Sequence, residues 1–89
     1  MPTISMFYGI LVMMYFADNT QHHLPHIHVK YQENKAALDV KTGKIIEGKL
    51  PRKQLSLVKA WIEIHKDELM ADWELAISGS ELFKIDPLR

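Results

Sequence analysis

The chain contains no cysteine among its 89 residues. That excludes disulfide staples and thiolate zinc sites, and it leaves stability to packing alone. It also fits a reducing cytoplasm without establishing one. There is no charge imbalance: eleven basic residues face eleven acidic ones, so the global basic excess that marks many nucleic-acid binders is missing. Charge is almost absent from the first third, where Asp18 is the only formally charged side chain up to Val29. Nor is there a hydrophobic run of membrane-spanning length. The uncharged stretch "ISMFYGILVMMYFA" covers residues 4 to 17, 14 in all, short of the roughly 18–20 a bilayer requires. It lacks preceding basic residues and a small-residue cleavage site, so neither a signal peptide nor a membrane partner is expected. The stretch reads as buried strand.

Hydrophobic residues make up 47% of the chain and charged ones 25%, a balance typical of one globular domain with a single modest core. The segment "ILVMMYF" at 10 to 16 is β-branched and aromatic enough for a central strand. Residues 4 to 8 form a short strand of their own or part of a bent one. "HIHVKY" alternates His26, His28 and Lys30 with Ile27, Val29 and Tyr31, the period-two signature of a half-buried strand. "QENK" reads as a hairpin turn into a strand at Ala36 to Val40. "KTGK" is a second turn, leading to Lys44 to Glu47. Helices follow: Pro51 suits a first helical turn, and Leu55, Val58 and Ile62 recur at helical spacing, with Leu57, Trp61 and Ile64 widening the stripe. A break is expected near Lys66 and Asp67. A second stripe through Leu69, Trp73, Ala76 and Ile77 then runs to Gly79, placed to be the residue after the cap. "ELFKIDPL" suggests a short C-terminal edge strand. The expected architecture is α+β over residues 1 to 89: an antiparallel sheet of three to four strands packed on one face by two consecutive helices.

The chemistry of the chain concentrates at "HHLPHIHV", where four of the five histidines fall within seven positions. Residues i and i+2 of a strand share a face, so His26 and His28 can point together. Their ring nitrogens could share Zn²⁺ or another divalent metal, at about 2.0–2.1 Å, given a third ligand from His22, His23 or Asp18. No H-E-x-x-H and no cysteine pair supports an established zinc spacing. Alternatively, two imidazoles on one face could exchange a proton at a phosphodiester, with Lys30 further along the same face as a cationic partner for the phosphate. The plain alternative is a set of solvent-facing strand residues, or one satisfied buried histidine with exposed neighbours. Trp61 and Trp73, one per helix, are expected to anchor helix–sheet packing. "GKLPRK" sets basic residues beside a helix N-terminus and reads as a solvated turn.

Several separated segments, in order, resemble one family. "PTISMFYGILVMMYFADN", "HHLPHIHVKY", "GKIIEGKLPRKQLSLVKAWIEIHKDEL", "DWELA" and "KIDPL" together look like a small bacterial family known as domain of unknown function 4160, across essentially the whole chain. That family's signature runs His-x-Pro-Pro-His-aromatic-His. Its histidines fall on His22, His26 and His28 and its second proline on Pro25. Leu24 replaces the first proline and Ile27 the aromatic residue, at a cost in loop rigidity and stacking surface. His23 is supernumerary; Asp18, Trp61, His65 and Trp73 also match family positions. The resemblance implies a cytoplasmic bacterial protein paired with a small protein from a neighbouring gene, in a toxin–antitoxin-like module. On this basis the chain is expected to act by binding that partner, with nucleic acid as a further ligand. The competing expectation is an RNA-directed enzyme that uses the His22, His26 and His28 cluster through metal or acid–base chemistry.

Overall fold

The uncharged N-terminal run is divided by its own turn. Phe7 and Ile10 face each other across two residues, Tyr8 and Gly9, both with positive φ (51° and 77°). This is the conformation of a type I′ hairpin, whose twist matches that of its strands. In the computed structural model, described over residues 3–15 and 24–89, the run therefore supplies two strands, β1 (Thr3–Phe7) and β2 (Ile10–Met13). Three more follow: β3 (His26–Tyr31), β4 (Asn34–Asp39) and β5 (Ile45–Gly48). All neighbours are antiparallel in the order β1-β2-β3-β4-β5. The sheet thus has five strands rather than the expected three to four.

Residues 31 and 34 pair across the next two-residue turn, where Gln32 takes a positive φ of 53°. That tight connection locks the β3–β4 register and sets His28 opposite Ala37 and Lys30 opposite Lys35. Gly48 ends β5 with φ 79°, and a side-chain carbon there would collide with the Lys35 carbonyl oxygen and the Ala36 backbone. Only glycine satisfies both constraints.

Two helices, α1 (Arg52–Ile64) and α2 (Lys66–Ile77), follow Pro51. The break between them falls at His65, whose ψ of 25° interrupts the helical run one residue before the expected position. α2 ends in a Schellman arrangement: Ser80 N–H reaches Leu75 O at 2.9 Å and Gly79 N–H reaches Ala76 O at 3.2 Å, with Gly79 at φ 76°. Val58, Trp61 and Ile62 of α1 and Leu69 and Trp73 of α2 are buried together with Ile10, Val12, Ile27, Val29 and Leu38 of the sheet. Each such side chain contributes roughly 1.5–3 kcal/mol on leaving water. Phe7 and Trp61 meet with ring centroids 5.4 Å apart. Both tryptophans sit in this core, as their spacing predicted.

Residues 80–89 carry no strand, so the expected C-terminal edge strand does not form. The tail instead lies beside β1 through one ladder-like bond, Ile85 N–H to Ile4 O at 2.8 Å. The Asp86 carbonyl is taken by the Trp61 indole N–H at 2.8 Å, and Pro87 has no N–H to donate, so pairing cannot propagate. Among the described residues no helix is long and apolar enough to cross a membrane.

Candidate functional site

Alternation along β3 divides its side chains between two faces. Ile27 and Val29 are buried toward the helices, while His28 is half-buried and Lys30 exposed on the other side. The register extends this division across the sheet. Leu11, Lys30 and Lys35 form one row on the face away from the helices, and Met13, His28, Ala37 and Glu47 form the next. Together with Tyr15 they line an open groove of about 490 Å³. Ala37 is its floor: it is 3% exposed, yet lies outside the main core cluster. Its methyl group is the reason the groove exists, because a longer side chain would stand where the concavity lies.

His26 opens β3 and is treated differently from its neighbour two residues on. It is 3% exposed, so the expectation of two outward-facing imidazoles holds for His28 only. The His26 ring lies 5.0 Å from that of Trp73, inclined at 57°, and 5.1 Å from that of His28, inclined at 70°. His28 in turn stacks on Tyr15 at 4.4 Å and 14°. Four rings thus run from α2, through the end of β3, to the open face. The Nδ1 of His26 is 2.8 Å from the Leu24 carbonyl oxygen. A carbonyl only accepts, so Nδ1 carries a hydrogen and donates it, which fixes the orientation of the ring. The backbone supports this placement, since Val40 N–H bonds Pro25 O at 3.0 Å, extending the β3–β4 pairing past His26.

Of the other residues singled out by sequence, Lys30 shares the face of His28 without belonging to the ring series. His22, His23 and Asp18 lie outside the described residues. Among the described residues no three histidine, cysteine, aspartate or glutamate side chains gather to hold a metal ion. Two imidazoles are supplied, and His22 or Asp18 would have to complete a coordination shell. The fifth histidine, His65, is elsewhere, its Nδ1 2.6 Å from a Glu68 carboxylate oxygen at the helix junction.

Three features escaped sequence reasoning. Tyr15 was assigned to the strand core, whereas it stacks on His28. Lys35, Ala37 and Glu47 were not singled out, although the alternation of Lys35, Ala37 and Asp39 with Ala36 and Leu38 carries the signal once the hairpin register is known. Asp72 was read only as part of "DWELA". It is 2% exposed; one carboxylate oxygen accepts the Phe83 N–H at 3.0 Å, and the other has no hydrogen-bond partner. Burial holds its carboxyl above the usual aspartate value, the Phe83 amide pulls it back down, and Glu68 adds a smaller upward push.

With this geometry in view, a family model described as "Domain of unknown function (DUF4160)" matches residues 9–74. Neither the curated proteins nor the solved structures contain a match to the chain.

Proposed function

The chain belongs to the DUF4160 family, a domain of unknown function, and from that premise we propose that it is a binding module, one member of a toxin–antitoxin-like two-protein pair. Its contact surface is the sheet face turned away from the helices. The observation that carries this reading is the groove, with Leu11, Met13 and Tyr15 half-buried along it and Lys30, Lys35 and Glu47 at its rim. An apolar centre containing methionine and tyrosine, bordered by charges of both signs, is the anatomy of a protein–protein interface. The small partner protein is the one whose gene neighbours this chain's own. Purified together, the two products elute as one complex on size-exclusion chromatography, and Ala37→Trp, which fills the groove floor, abolishes that complex while leaving the fold intact. Two independent peaks with the unaltered chain would overturn the proposal.

A second reading rests on the hydrogen bond between His26 and Leu24. It orients the His26 ring beside that of His28, and two adjacent imidazoles are what an acid–base pair acting on RNA needs, with Lys30 as a cationic contact for the phosphate. Metal chemistry on the same histidines would call for His22 or Asp18 as further ligands. RNA cleavage and zinc uptake, each measured for the unaltered chain and for the His26→Ala, His28→Ala double variant, test this. Equal, negligible values in both proteins remove it.

A further inference from the structure

We infer that the paired lysines of the groove are a seat for a carboxylate, and that the segment docking there is a short protein stretch combining acidic and apolar side chains. The inference rests on the sheet face being a contact surface and adds the chemistry of what it contacts. Lys30 and Lys35 are directly opposed on adjacent strands. Like charges in that position disfavour strand pairing. Both side chains are exposed, and among the described residues the only ion pairs are His65–Glu68 and Lys66–Glu63. Two lysines whose Cα atoms the register sets opposite one another, neither in an ion pair with a described carboxylate, form an anion seat that a bound partner can fill.

What surrounds the pair selects the anion. Leu11 is the other neighbour of Lys30 in the same row, and Met13, His28, Ala37 and Glu47 occupy the next row. An occupant therefore meets two lysines and, beside them or two residues along the strands, the apolar Leu11, Met13 and Ala37, which suits a side chain ending in a carboxylate with an aliphatic or aromatic neighbour. A nucleic acid fits less well. Its phosphates are continuous, whereas Glu47 stands in the same groove, and the chain carries no net charge with which to attract a polyanion. An acidic protein segment needs only the local pair and can direct an uncharged or basic group toward Glu47.

The test is an NMR titration of the ¹⁵N-labelled full chain with three probes: an acetylated, amidated Leu-Glu-Phe-Glu-Leu peptide, its glutamine counterpart, and a short oligouridine. The acidic peptide shifts the amides of residues 30 and 35, and the glutamine peptide binds at least tenfold more weakly. Lys30→Glu with Lys35→Glu removes the response. Lys30→Gln with Lys35→Gln reduces it as well, in case charge reversal disturbs the sheet. Equal binding of both peptides, no peptide shifts, or stronger shifts with oligouridine would overturn the inference. A parallel measurement with the neighbouring gene's product separates this claim from the one it rests on. Binding that is unchanged by the double glutamine variant overturns the lysine seat and leaves the module intact. The absence of any complex overturns the module, and the peptide arm still decides the seat.

Discussion

The helix-covered and open faces of this sheet are built from alternate residues of the same strands, yet they carry opposite kinds of risk. On the covered face, Ile27 and Val29 are 0% and 1% exposed, and every atom removed there leaves a cavity. The open face has Lys30 and Lys35 in water, a half-buried His28 and an alanine floor, so side chains can change with little penalty to the fold. Among the described residues, two buried side-chain oxygens lack a hydrogen-bond partner, Ser5 Oγ on β1 and Asp72 Oδ2 on α2. The comparison teaches that stability and recognition can be assigned to odd and even positions of a single strand. His26 is the exception that joins them, because it belongs to the open-face series by alternation but is buried against Trp73.

The contrast breaks most visibly by truncation. Ile27→Ala is expected to cost about 2–5 kcal/mol through lost burial and the cavity left behind, whereas Lys30→Ala on the same strand stays within about 0.5 kcal/mol; urea unfolding at neutral pH measures both. If the two variants lose stability equally, the division between faces is wrong. At the margin of the groove, Gly48→Ala forces a positive φ on a residue with a side chain and drives that side chain into the Lys35 carbonyl. A loss of about 1–3 kcal/mol follows, and the exchange protection of β5 amides falls with it.

The buried acid sharpens the comparison through pH. Because burial raises the Asp72 carboxyl above its unfolded value of 3.8, its folded form favours the protonated state. Its contribution to stability is complete below the unfolded value and is lost as pH rises through the folded one. Asp72→Asn keeps an oxygen for the Phe83 amide and removes the ionisation. The unaltered chain should therefore lose stability relative to this variant as pH climbs from 3.8 toward neutrality, which parallel thermal melts would show. A difference that is flat with pH would mean the carboxyl is not strained by burial. The smallest effect is expected from Ser5→Ala, which removes an unpartnered buried hydroxyl and should raise stability by about 1 kcal/mol, visible as a small rise in Tm.

Much of the architecture was legible from residue pattern. The alternation of "HIHVKY" placed β3, and the stripes through Val58, Ile62, Leu69 and Trp73 placed both helices and their packing. Gly79 marked the end of α2, where the conformation it adopts is the one glycine permits most easily. Division of the N-terminal run was harder to read, because "FYGIL" is apolar on both sides of its turn and the hairpin needs positive φ at Tyr8 as well as at Gly9. The tail read as a strand because its composition suits one, but after the Ile85 N–H bonds Ile4 O the next residue facing β1 is Pro87, which has no N–H to continue the pairing. The groove was illegible because it depends on which residues of four strands share a row, and rows follow from turn geometry rather than composition.

Local pattern alone thus determined that this chain has a two-sided strand bearing His26, His28 and Lys30, followed by two apolar-faced helices, because side-chain periodicity is a property of neighbouring residues. Tertiary structure decided that Trp73 buries His26, that Lys35 stands against Lys30, and that Ala37 opens a groove between Met13 and Glu47. Those outcomes join residues of different strands and of α2, and only strand register and the docking of α2 bring them within reach of one another.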